Sequence, residues 1–195
     1  AAIANFDLGK RQSSEAAFKL IISSAFSSGL LLFGISLVYG TTGSLDFETI
    51  RQQLDGSSLQ LFAFILLLSG FAFKISVVPF HLWTADVYEG APVAVTSYLS
   101  VVSKAAIFFV LVPVLYTVFK SIAGSWYNML VILSVLTMLV GNLFAIRQNN
   151  LKRILAYSSI ANMGYLLTAL LSIQNNDLQT AILYTIIYFL ALLAA

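Results

Sequence analysis

Two lysines, Lys74 and Lys104, each stand alone inside apolar sequence long enough to cross a bilayer. A charged side chain at the centre of a membrane costs about 2.5–3.5 kcal/mol even on lenient insertion scales. Desolvation works against the charged form of an amine, and a second positive charge nearby works against it further. Such lysines can give up and regain protons near neutral pH, and two in proximity titrate as a coupled pair, each discouraging protonation of the other. The chemistry they point to is a relay that hands a proton between half-sites. Lys104 sits mid-run, too far from either end to snorkel. Ser97 and Ser100 precede it at seven and four residues, so a helix aligns the three as a polar stripe. That stripe reads as the lining of a hydrated path; the plainer reading is a packing face whose serines bond back to their own helix, which leaves the lysine unexplained.

Lys74 lies in SGFAFKISVVPFHLWTADVYEGAPVAV. Pro79 removes a backbone donor and clashes with the preceding turn, which predicts a broken or kinked helix. Breaks at membrane depth expose carbonyls and helix ends and survive only where protein or a water-filled cavity covers them. His81 follows within the break, a side chain whose ordinary pKa lies near neutrality, and reads as a relay or gate. The plainer readings are that Lys74 snorkels along its methylene stem and that His81 and Trp83 are interfacial anchors. Asp86 and Glu89 could hold or release charge, or lie at the membrane surface. Glu15, four residues before Lys19, reads as a helix-start ion pair.

The elements that must position these residues are helices. The chain of 195 residues is 59% hydrophobic and 9% charged, with its charges gathered between long neutral runs, which defines a polytopic membrane protein. The runs are continuous rather than alternating, so the predicted fold is an all-α transmembrane bundle with one Pro-broken helix, not a barrel. A crossing needs about 20 apolar residues. Spans are expected near 15–39, 59–80 (broken near Pro79 and continuing to about 88), 92–119, 126–146, 153–173 and 178–195, the last cut off by the end of the chain. Residues 46–54 form a short surface helix on this reading. The whole of 1–195 reads as a single membrane domain, and the opening at Ala1 and the end inside an apolar run predict a fragment of a longer protein.

Lys10, Arg11, Lys19, Arg147, Lys152 and Arg153 fall on one side of the membrane if the helices alternate, against Arg51 and Lys120 on the other with Asp46, Glu48, Asp55 and Asp177. Basic residues mark the cytoplasmic side or its organellar equivalent. The chain has no Cys and one His, so no iron–sulfur cluster, haem or other cofactor is expected in it, and it carries no Gly-rich phosphate loop and no nucleic-acid signature. Electrons are not expected to run through it. Ser158, Asn162 and Tyr165, and Ser134, Thr137 and Gly141, form weaker stripes that read as packing.

The stretch FKISVVPFHLWTADVYEGAPVAVTSYLSVVSKAAIF, with SSEAAFK before it and GNLFAIRQNNLKRILAYSSIANMGYLL after it, resembles the antiporter-like subunits of the proton-pumping NADH:quinone oxidoreductase, respiratory complex I. The lysine, the Pro break and the PxHxW pattern are shared across those subunits and the multi-subunit sodium/proton antiporters; DVYEGAP and the lysine in VSK favour the subunit N family, called subunit 2 in mitochondria. The resemblance implies an antiporter-like bundle, represented here from the end of its fifth helix to part of its eleventh. It implies that Lys74 and Lys104 are the proton-translocating lysines of the seventh and eighth helices and that His81 is the histidine after the break. The family's fifth-helix glutamate and twelfth-helix lysine have no counterpart here, and YTIIYFLALLAA departs from the family's usual continuation. The implied protein is a non-redox subunit of a translocase, with no catalytic centre of its own. Its partners would be other membrane-arm subunits and the lipid bilayer, and FMN, iron–sulfur clusters and quinone would belong elsewhere in the complex. The implied membrane is a bacterial inner membrane, a mitochondrial inner membrane or a thylakoid. The alternatives are a sodium/proton antiporter subunit and a structural membrane subunit.

Overall fold

The computed structural model describes residues 11–173 and 178–194, and among them every regular element is helical. Lys10 and Asp177, both used in the orientation argument, lie outside the described residues. The helices are α1 (Arg11–Thr42), α2 (Phe47–Gln53), α3 (Ser58–Lys74), α4 (Leu82–Gly90), α5 (Val93–Tyr98), α6 (Lys104–Pro113), α7 (Ala123–Ile146), α8 (Leu151–Ser172) and α9 (Leu178–Ala194). A π-helical turn, Leu99–Ser103, joins α5 to α6, and a second, Val114–Val118, follows Pro113, so Val93–Val118 crosses as one helix. Arg11–Thr42, Lys120–Ile146 and Leu151–Ser172 are likewise long and apolar enough to span a bilayer.

Small residues let these helices approach closely, which drives packing where lipid supplies no hydrophobic contrast. On α1 the buried positions Ala16, Leu20, Ser27, Gly34 and Val38 recur at helical spacing. A methyl group on Gly34 would come within 2.9 Å of the Ala63 carbonyl oxygen and the Leu67 nitrogen, and one on Gly70 within 2.7 Å of the Leu31 side chain. The Ser27 hydroxyl donates to the Gly70 carbonyl at 3.4 Å, so the C-terminal part of α3 lies level with the middle of α1. The short α2 begins where Asp46 accepts from the backbone N–H and hydroxyl of Thr49, both at 3.0 Å. Those two bonds hold the Asp46 carboxyl below its usual range.

The second half of the broken helix, α4, is tied at one end of the bundle by charge. Asp86 accepts from Lys19 of α1 at 2.7 Å and from Arg153 of α8 at 2.8 Å; Glu89 accepts from Arg153 and from Asn150, both at 2.8 Å. The Glu15–Lys19 pair is present at 2.7 Å and joins this cluster. Lys19, Lys152 and Arg153 therefore gather with Asp86 and Glu89 at one end, the end on which the alternating helices place them. Asp86→Asn is expected to cost about 1–2 kcal/mol, since the carboxylate is partly buried and doubly paired. Glu15→Gln, in a more exposed pair, should cost a few tenths at most. Heat-induced unfolding of the two variants in detergent checks the contrast.

Candidate functional site

The break occupies Ile75–His81, and its backbone is satisfied one group at a time. α3 ends at Lys74, earlier than Pro79 alone would dictate, because Ser76 adopts a left-handed backbone (φ 63°) that no helix can continue through. The fully buried Ser76 hydroxyl accepts from Thr84 at 2.7 Å. The Val77 N–H reaches back to the Ala72 carbonyl at 2.8 Å. The Val78 N–H, orphaned by the break, donates to Thr137 of α7 at 3.1 Å, and the Thr137 hydroxyl donates in turn to Leu133 within its own helix. The Trp83 indole N–H donates to the Phe73 carbonyl at 3.1 Å, with its ring against Phe73. Every backbone group named here finds a protein partner, as membrane depth requires.

Lys74 lies at the lip of this break, half-buried, with no hydrogen bond or ion pair among the described residues. His81 is buried, and its Nδ1 makes no well-aligned hydrogen bond among the described residues. Trp83 is also buried, inside a cluster formed with Ala17, Leu20, Phe73, Tyr88 and Ile160, so neither ring is an interfacial anchor.

Lys104 is completely buried. Its ammonium donates to the Ser159 hydroxyl of α8 at 2.7 Å and stands 5.7 Å from the centre of the Tyr88 ring of α4, within range of a cation–π attraction. Ser159 also accepts from the Tyr188 hydroxyl of α9 at 3.3 Å. Four helices thus meet at one amine.

Ser97 and Ser100 both line a cleft with Tyr88, Thr96, Lys152 and Ser159. Their hydroxyls donate to their own helix, Ser97 to Val93 at 3.1 Å and Ser100 to Ser97 at 3.0 Å. The π-turn Leu99–Ser103 contains Ser100 and separates Ser97 from Lys104, so the straight stripe of an ideal helix is bent. The serines line the cleft, while Lys104 lies outside its lining and touches two residues that line it, Ser159 and Tyr88. Lys152 lies at the mouth, its ammonium 3.0 Å from the Ala91 carbonyl at the end of α4. π-turns cluster at functional positions because they re-aim side chains.

Sequence reasoning missed Ser159, Tyr88, Tyr188 and Thr137 as site residues. Thr137 carried one usable signal: a hydroxyl in a nearly all-apolar helix of a protein whose broken helix needs a donor or acceptor from outside. The stripe it belonged to is indeed a packing face as well, since Gly141 meets Ala161 and Ser134 meets Gly164 across α7 and α8. On the other stripe, Asn162 donates to the Ser158 carbonyl at 2.9 Å and accepts from Tyr184 at 3.5 Å.

A helical bundle with a Pro-broken helix beside one lysine and a second lysine buried next to a serine-lined cleft defines an antiporter-like membrane subunit. The profile of the family described as NADH:quinone oxidoreductase/Mrp antiporter, transmembrane, matches residues 2–194, and the chain belongs to that family and is an integral membrane protein. It is 48% identical over its whole length to the NADH-quinone oxidoreductase subunit N of Phocaeicola vulgatus. It spans 41% of that relative. Among solved structures it resembles a chain of respiratory complex I from Thermus thermophilus with bound aureothin (TM-score 0.74, 34% identity, 95% of this chain and 41% of that one). It also resembles a chain of the Mrp complex from Dietzia sp. DQ12-45-1b (TM-score 0.85, 24% identity, 94% of this chain and 34% of that one), a likeness of fold.

Proposed function

We propose that this chain is part of a subunit N of an NADH:quinone oxidoreductase and conducts protons through the membrane arm, driven by quinone reduction elsewhere in the assembly. The observation that carries the reading is the placement of Lys104: a fully buried amine whose one hydrogen-bonding partner among the described residues, Ser159, also lines a cleft with Ser97, Ser100 and Lys152. A charge in so dry a position exchanges its proton only through the polar group that touches it, and the cleft brings water to the other side of that group. Ser97 and Ser100 keep the cleft wet, and Lys152 sets the charge at its mouth.

Lys74 is the second protonatable site, at the lip of the break, with its head group free of protein partners among the described residues. His81 supports hydration or gating between the two. Flavin, iron–sulfur clusters and quinone would sit in other subunits, and the partners are the neighbouring membrane subunits that transmit the driving force. The likeness to subunit N over the whole chain supports this partner set over a sodium/proton antiporter.

Lys74→Ala tests the role at the break. In sealed membranes carrying the whole assembled complex, NADH-driven proton pumping is expected to fall several-fold while a native gel shows assembly; intact pumping overturns the role of Lys74. Co-purification of the full-length protein with NADH dehydrogenase activity supports the complex, and sodium-dependent antiport without such co-purification supports the antiporter instead.

A further inference from the structure

Ser159 is fully buried and sits among three groups that can exchange hydrogen bonds with it. Lys104 makes the short contact, at 2.7 Å. The Tyr188 hydroxyl makes long ones, 3.3 Å to the Ser159 hydroxyl and 3.4 Å to the Ser159 carbonyl. The Tyr88 hydroxyl, also buried, lies beside Ser159 and Tyr188 and makes no well-aligned hydrogen bond among the described residues. One short bond, two stretched ones and a third hydroxyl beside a single serine mark a site with more than one hydrogen-bonding arrangement.

We propose that Ser159 is a two-position hydroxyl switch that couples the protonation state of Lys104 to α9 through Tyr188. The inference rests on the reading of Lys104 as a proton site. When Lys104 is charged, its ammonium can only donate, so Ser159 accepts from it and directs its own hydrogen to another partner. When Lys104 is neutral, its lone pair accepts the Ser159 hydrogen, and the serine oxygen is released to accept more strongly from Tyr188 or from Tyr88. The long Tyr188 bonds are the ones that shorten or break as this happens, because weak bonds yield before the short charge-assisted one. Tyr188 belongs to α9, so each change at Lys104 alters how α9 is held against α8. Ser159 and Tyr188 are positioning residues here, acting through the lysine.

The test uses the whole complex in sealed membranes and reads protons pumped per NADH oxidised, with native gels for assembly. Ser159→Ala is expected to lower that ratio about tenfold, the fold-change of one hydrogen bond to a charged group. Tyr188→Phe should lower it several-fold, and the double variant should be no worse than Ser159→Ala alone because the tyrosine acts through the serine. Ser159→Thr, which keeps the hydroxyl, should restore most of the ratio, an outcome that a merely space-filling serine would not give. If Ser159→Ala fails to assemble, Tyr188→Phe and Ser159→Thr carry the test. Full pumping in Ser159→Ala and Tyr188→Phe, beside loss in Lys104→Ala, overturns the switch and leaves the lysine's role standing. An additive double variant overturns the route through Tyr188. Full pumping in Lys104→Ala removes the proton-site reading itself, and the switch with it.

Discussion

Lys104→Ala in the assembled complex is expected to lower proton pumping by on the order of a hundredfold, the low end of what a positioned proton-transfer group contributes. The reason is local. Lys104 is the amine that touches Ser159 on the cleft's wall, and alanine leaves Ser159 with no charged partner among the described residues. The variant also leaves the Tyr88 ring beside an emptied space. Two companion variants separate charge from volume. Lys104→Met keeps the length of the side chain without the amine and should pump as poorly as alanine. Lys104→Arg keeps a permanent charge that cannot be released, and so should bind a proton without passing it. Native gels and NADH oxidation are measured alongside. Assembled, oxidising complex with lost pumping in all three places the lysine on the proton path. Full pumping in Lys104→Met would show that the amine is tolerated rather than used, and the structural-subunit reading would then stand in its place.

The sequence made these lysines visible for an energetic reason: an amine in an apolar run is expensive, and its cost is legible without any knowledge of neighbours. The all-helical bundle was legible for a similar reason, since long neutral runs admit no other backbone in lipid. Pro79 announced the break, but only local geometry at Ser76 shows that the helix stops at Lys74. What the sequence could not carry was pairing between helices. Ser159 is 55 positions from Lys104, and Thr137 is 59 from Val78; serine and threonine are common enough in membrane helices that neither stands out. The stripe Ser97–Ser100–Lys104 was read on a straight α-helix. The π-turn at Leu99–Ser103 depends on packing around it, and it shifts Lys104 out of register with Ser97 while both serines line the cleft and the lysine does not. Resemblance to a family supplied the roles of Lys74 and Lys104, but not the residues that hold them.

Gly141→Leu is expected to abolish assembly, and the effect follows from where α7 and α8 touch. Even a methyl group at Gly141 would lie 2.6 Å from the Ala161 nitrogen and 2.8 Å from its Cα, and one at Gly164 would lie 2.9 Å from the Ser134 carbonyl oxygen. These are backbone atoms and cannot turn aside as a side chain would, so the two helices must separate. Overpacking of an ordinary core costs about 1–3 kcal/mol; leucine against backbone at a helix crossing should exceed that range. The same separation reaches the site twice. α7 carries Thr137, the acceptor for the orphaned Val78 N–H of the break, and α8 carries Ser159, the partner of Lys104. Spreading α7 from α8 therefore unseats the break beside Lys74 and the hydrogen bond at Lys104 together, although Gly141 touches neither lysine. Gly141→Ala, with the smaller clash, should assemble in reduced amount and pump less per assembled complex, read by native gel and proton uptake on the same membranes. Normal assembly and pumping in Gly141→Leu would mean that the α7–α8 contact is not what holds the two lysine sites in register.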